Sequence, residues 1–218
     1  MTITYPRELP TLKLAKADFR LVRTDQTSGE VGGRIVSNTL AMPYWSLDVA
    51  TEATRDEYDL WAAWEASLRG AQKLFYGREF RRGRYPKAYR FTGFADLTRA
   101  GGGAFDGTAT DFDKTDTFAP TFEGLPAGFQ ISIGDYVGFT FDGGRTLHRF
   151  TEAGVANGSG ELTLALEAEV PGLVPVDAVA TFDKPSCLMV ITPGTFDASD
   201  DNARRTVSFQ ASSMPLEV

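Results

Sequence analysis

One cysteine and one histidine are all that the chain holds of the two side chains most used for soft-metal, redox and nucleophilic chemistry. With Cys187 alone no intrachain disulfide can form. One His and one Cys also fall short of the three or four ligands of a zinc-type site. No stretch approaches the 18 or so consecutive apolar residues of a membrane-spanning helix, so no direct membrane contact is expected. The opening Met-Thr-Ile-Thr-Tyr-Pro has neither a basic n-region nor an apolar h-region, which predicts synthesis in the cytosol. Positive charge is also in deficit: 22 Lys and Arg face 29 Asp and Glu, for a net charge of −7 and a pI near 4.8. A free nucleic-acid binder would normally carry a basic footprint, so nucleic acid is not an expected partner.

The remaining chemical motifs also lead away from catalysis. His148 lies in Thr-Leu-His-Arg-Phe and Cys187 in Pro-Ser-Cys-Leu-Met-Val, strand-like segments that predict packing positions rather than a nucleophile and its base. Asp111-Phe-Asp113-Lys-Thr-Asp116 lacks the glycine and the terminal glutamate of a calcium loop. It is expected to be a solvated acidic loop. The glycines at 101–103 are followed by no Gly-Lys-Ser/Thr, so they make no phosphate loop. Asn157-Gly-Ser159 matches a glycosylation sequon, without a secretion signal to make use of it. Among 29 carboxylates nothing singles out a glycosidase pair. The sequence predicts no catalytic residue, no cofactor and no metal site.

What the chain has in excess is phenylalanine, 16 against 3 Trp and 7 Tyr, together with 22 Gly and 11 Pro. That mixture favours strands and turns over helices. A length of 218 residues suits one large or two small β domains, and 42% hydrophobic residues are enough for a buried core.

Phe19–Arg23 reads as the first strand, with a polar turn or loop over residues 24–30. An extended stretch follows over residues 33–50, where Pro43 predicts an edge or a bulge. The one clear helix spans about 54–69. Thr54-Arg-Asp-Glu57 is a capping box, Tyr58, Trp61, Trp64 and Leu68 share a face, and Gly70 follows the last turn. Residues 73–76 and 88–94 read as short strands around a basic loop. Residues 99–128 are small, polar and acidic, and are expected to be a linker or projecting loop. Seven short strand signals then run through 131–133, 136–141, 147–150, 162–166, 176–182, 188–191 and 207–209. The expected fold is mainly β. It comprises a β-rich domain over 1–98 with one docked helix, the linker 99–128, and an all-β domain over 129–218 forming a small barrel or sandwich.

Charge is unevenly shared. Residues 1–98 balance at +3 and residues 99–218 at −10. Arg78, Arg81, Arg82, Arg84 and Lys87 cluster with Arg90, Phe80, Tyr85 and Tyr89. Such a segment can meet a protein surface, sit as a solvated hairpin tip, or bind single-stranded nucleic acid; the acidic balance favours a protein contact. The expected subunit contact joins the basic loop 78–90 of one chain to the acidic region holding Asp111, Asp113 and Asp116 of the next.

Three runs in order carry a family resemblance. The first is Gly32-Gly-Arg-Ile-Val with Met42-Pro-Tyr-Trp-Ser-Leu. The second is Glu57-Tyr-Asp-Leu-Trp-Ala-Ala-Trp-Glu-Ala-Ser-Leu-Arg-Gly70, then Leu74-Phe-Tyr-Gly77. The third is Ile133-Gly-Asp-Tyr, Leu147-His-Arg-Phe, Gly160-Glu-Leu-Thr-Leu and Pro185-Ser-Cys-Leu-Met-Val. The combination resembles distal tail proteins and related minor tail proteins of long-tailed bacteriophages and phage-derived gene transfer particles. The resemblance implies a non-enzymatic virion component with a β-rich belt domain carrying one helix. It also implies a ring, typically a hexamer, that joins the tail tube to the tail hub. An outer β domain would hold receptor-binding or side-fibre proteins. The alternative reading is a carbohydrate- or receptor-binding β module of a virion.

Overall fold

The computed structural model describes residues 3–10, 14–27, 37–80, 83–201 and 204–214. Strands hold 42% of the chain and helix 10%, so the fold is mainly β with a single α-helix among the described residues. In chain order the first elements are β1 (Lys16–Thr27), β2 (Ser37–Ala53), α1 (Arg55–Leu68) and β3 (Phe75–Gly77). Eight short strands follow: β4 (Asp111–Asp113), β5 (Thr121–Glu123), β6 (Gln130–Ile131), β7 (Tyr136–Phe141), β8 (Gly144–Arg149), β9 (Gly154–Val155), β10 (Leu162–Thr163) and β11 (Val179–Thr181). The last three are β12 (Cys187–Ile191), β13 (Asp197–Asp201) and β14 (Arg204–Ser213).

The chain folds as two compact units, residues 1–77 with 188–217, and residues 78–187. This corrects the division at 98 and 129 expected from composition. The strands after residue 187 return to the first unit's sheet, whose order is β1-β2-β14-β12-β3 with β13 beside β14. Pairing across such sequence distances leaves no compositional trace.

In the first unit, alternation decides which face of the sheet is buried. Trp45, Leu47 and Val49 of β2 are buried, as are their cross-strand neighbours Phe19, Ala17 and Phe209. Phe19 stacks on Trp45 with ring centroids 4.7 Å apart. The intervening residues are polar, and Lys16 pairs with Asp48 on that other face. Helix α1 starts at the predicted capping box: the Thr54 amide donates to Glu57 Oε2 at 2.8 Å, and the Glu57 amide donates to Thr54 Oγ1 at 3.4 Å. It buries Trp61, Trp64 and Leu68, with Trp64 edge-on to Phe75 at 5.2 Å and Trp61 5.7 Å from Phe209. Of the edge or bulge expected at Pro43, a bulge is present. Tyr44 pairs with Val22 and Ala41 with Thr24, so two residues of β2 face one of β1. Residues 24–27, expected as a loop, are strand because they continue the β1–β2 ladder to Thr27 opposite Ser37. Gly77 closes β3 where a Cβ would fall 1.9 Å from the Met189 sulfur, so any larger residue would have to displace the Met189 side chain.

The second unit has three small antiparallel sheets, β10-β5-β4, β11-β7-β8 and β6-β9, and none closes into a barrel. Its core is phenylalanine. Phe122, Phe129, Phe139, Phe150 and Phe182 are all fully buried, in ring contacts of 5.4–6.4 Å. Residues 99–128 are not a linker. Phe105, Phe112, Phe122 and Leu125 of that stretch are core; β4 is Asp111-Phe-Asp113, with the carboxylates out and the ring in, and β5 is Thr121-Phe-Glu123, with its ring in. Two-residue alternation places aromatics inside while composition registers only the acids. Residues 88–94 are not a strand either. A 3-10 turn, Lys87–Tyr89, begins after Pro86, and Gly93 N donates to Tyr89 O.

Candidate subunit-contact surfaces

The basic segment is fastened to its own unit. Arg84 makes a two-pronged ion pair with Asp183, Nε to Oδ1 and Nη2 to Oδ2, both at 2.5 Å. That hydrogen bonding holds its pKa above the usual guanidinium value. The Lys87 amide donates to Asp135 Oδ1 at 3.2 Å and its ammonium donates to the Ile133 carbonyl. Arg78 lays its guanidinium over the Phe80 ring at 5.4 Å. Its Nε is buried with no hydrogen-bond partner, beside a cleft of about 20 Å³ bounded by Arg84, Tyr85, Asp135 and Phe182. A space of that size holds about one water. Arg81 and Arg82 lie outside the described residues.

Two of the segment's aromatics turn inward. Tyr89 stacks on Phe129 at 4.9 Å, and its hydroxyl accepts from the Gln130 amide at 2.8 Å. Burial raises the Tyr89 pKa, and that hydrogen bond opposes the rise. Tyr85 packs against Phe94 at 4.7 Å. The aromatic that faces solvent is one that segment-level reading passes over: Phe91, 93% exposed, with the Arg90 guanidinium 5.7 Å from its ring. Tyr85, Tyr89 and Phe91 look alike in sequence, and nothing local marks which ring stays out.

The acidic segment is built of carboxylates that organise their own turns. Asp113 Oδ1 accepts from the Thr115 hydroxyl and amide at 2.8 and 2.9 Å, which holds its pKa below the usual range. Asp116 Oδ1 accepts from the amides of Phe118 and Ala119, and Asp111 Oδ1 from that of Phe112. For Asp106, burial pushes upward, but the Thr108 hydroxyl and amide with Arg99 leave its pKa lowered. Asp111 and Asp113 stay exposed on β4 and Asp116 in the following turn. Of the residues expected to form the subunit contact, Arg84, Lys87, Asp111, Asp113 and Asp116 are exposed.

His148 and Cys187 are both buried. His148 Nδ1 lies 3.2 Å from the Ala168 carbonyl and Nε2 lies 3.3 Å from Thr146 Oγ1. Desolvation lowers its pKa to about 4, so the ring is neutral. Both nitrogens already have partners other than Cys187. Burial pushes the Cys187 thiol up to about 12, which keeps it protonated and a poor nucleophile. Among the described residues no three His, Cys, Asp or Glu side chains converge as metal ligands, and no helix is long and apolar enough to cross a membrane.

The first unit offers a different kind of surface. Among the described residues β1 is the outer strand of the sheet, and β14 pairs β2 only over residues 46–53. Beyond that point, among the described residues, β1 and β2 continue as a two-stranded arm, with residues 23–27, 37, 38 and 41 exposed.

The molecule is thus a mainly β protein of two units, one of which presents an outer strand and a solvent-exposed arm. No protein-family model and no curated protein sequence matches the chain.

Proposed function

We propose that the chain is a non-enzymatic structural subunit of a phage-type tail tip, one copy in a closed ring that joins the tail tube to the hub proteins. A hexamer is the ring order that the resemblance implies. On this reading the subunit is made in the host cytoplasm and resides in the virion tail tip. The observation that carries the proposal is the β1–β2 arm. An isolated two-stranded ribbon is marginal in water, and an outer strand with an exposed arm is a template for pairing with another chain. A closed ring needs such heterologous contacts, each subunit offering one surface to a different surface of its neighbour. The neutral, hydrogen-bonded His148 and the protonated Cys187 add support, since neither is poised for bond-making.

The alternative, a glycan- or receptor-binding module, draws on the exposed Phe91 ring. Phe91 does not line the cleft beside Arg78, whose space suits a water molecule rather than a sugar ring. Two-dimensional averages of the purified protein, with its mass in solution, test the proposal. Closed particles with six-fold symmetry are expected. A monomer at every concentration that binds glycan arrays would overturn it.

A further inference from the structure

The second unit carries two exposed apolar patches of opposite charge character, and they lie toward opposite ends of strand β7. At one end the turn over residues 87–91 crosses the segment 130–135. It is held there by the Lys87 amide on Asp135, the Lys87 ammonium on the Ile133 carbonyl and the Tyr89 hydroxyl on the Gln130 amide. This anchoring presents Phe91, 93% exposed with the Arg90 guanidinium beside its ring, and Ile133, 61% exposed with the Lys87 ammonium on its carbonyl. A large ring held in water on a fixed turn, with a guanidinium beside it, has the composition of an interface anchor. It loses little conformational freedom on docking.

At the other end Val179 pairs with Thr140, four residues of extended chain beyond Tyr136 and on the order of 13 Å away. There Leu173, Val176 and Val179 are exposed, Val176 by 65%. The antiparallel bridge between Thr108 and Thr181, with the Ala109 amide on the Ala180 carbonyl, runs the approach to β4 alongside them. Asp111, Asp113 and Asp177 are exposed there, and Glu123 lies opposite Asp111 on β5. Lys114, the single basic residue of 108–123, turns its ammonium onto the carbonyls of Gly172 and Val174. That contact fastens the loop bearing Leu173 and leaves the carboxylates to set the sign of the patch.

We infer that the second unit docks head to tail on a second copy of this chain, Phe91 of one copy seating on the Leu173–Val176–Val179 surface of the next. The cations of Lys87 and Arg90 then face the carboxylates of Asp111, Asp113 and Asp177. A second copy is the fitting occupant because one chain supplies both halves: a basic-rimmed anchor and an acid-rimmed apolar receiver. Two unlike patches on one subunit make a heterologous contact, the type that closes rings or grows filaments. The inference rests on the assembly reading above and adds a second-unit contact to the one offered by the β1–β2 arm.

Two variants of the full chain test it, Phe91→Glu and Val176→Glu. Both positions are exposed, so the fold should survive, which near-ultraviolet circular dichroism checks. In analytical ultracentrifugation at low salt, each variant alone should need at least a ten-fold higher concentration than the wild type to assemble. An equimolar mixture should restore one such contact per pair and assemble at a lower concentration than either variant alone. The Phe91 of one variant meets the intact receiver of the other, while the remaining ends repel through their new carboxylates. Wild-type rings that both variants preserve at unchanged concentration dependence would overturn this contact and leave the ring reading standing. Impaired variants that gain nothing on mixing would overturn the head-to-tail pairing. A wild type that is monomeric throughout would overturn both readings.

Discussion

Residue by residue, the clearest physical statement belongs to His148. Its imidazole packs edge-on to Phe139 at 5.5 Å and is wholly inside the Phe-rich unit. An ordinary histidine accepts a proton near pH 6.5, whereas here desolvation delays it to about pH 4. The folded state therefore binds fewer protons than the unfolded chain between these values. Stability present above pH 6.5 is lost as pH falls through that window, by up to about 3 kcal/mol, and the loss is complete below it. Urea unfolding at pH 7 and pH 4.5 should show this, and His148→Gln should remove most of that component of the slope. A variant with an unchanged acid slope would mean that the ring is solvated. The same desolvation that makes His148 acid-sensitive keeps Cys187 a thiol, so one cause accounts for both silent groups.

Among the elements, α1 is the one whose sequence signals and geometry agree throughout. Thr54 and Glu57 satisfy each other's amides, Asp56 and Glu57 sit where the helix dipole favours negative charge, and Arg69 leaves the helix in the left-handed conformation before Gly70. Thr54→Ala should cost about 1 kcal/mol, seen as a lower urea midpoint with an unchanged slope. Glu57→Ala added to it should cost less than Glu57→Ala alone, because the box is reciprocal. The short strands of the second unit behave otherwise. Several span two or three residues, and their pairing is held by buried rings rather than by ladder length.

For the molecule entire, the connection between units carries a consequence. The chain leaves the first unit from β3 and re-enters at β12, and these two strands are neighbours in the sheet. The second unit is thus inserted between adjacent strands, and its own core lies within 78–187. Residues 78–187 expressed alone should therefore unfold cooperatively in urea with a buried-aromatic near-ultraviolet signal. A fragment with no cooperative transition would show that the unit depends on the rest of the chain.

Local signals were sufficient for α1, for the Pro43 bulge and for strands such as Tyr136–Phe141, because caps, proline geometry and two-residue alternation act over a few residues. The basic and acidic segments were legible as charge. Arg84 could not be read as the partner of Asp183, nor Lys87 as the anchor of the turn that exposes Phe91, since both contacts join residues distant along the chain. The same holds for the return of β12–β14 to the first sheet and for the burial of Phe105, Phe112 and Phe122. Charge and periodicity are properties of neighbours in sequence. Which ring is sealed from water and which is left on the surface is settled by neighbours in space.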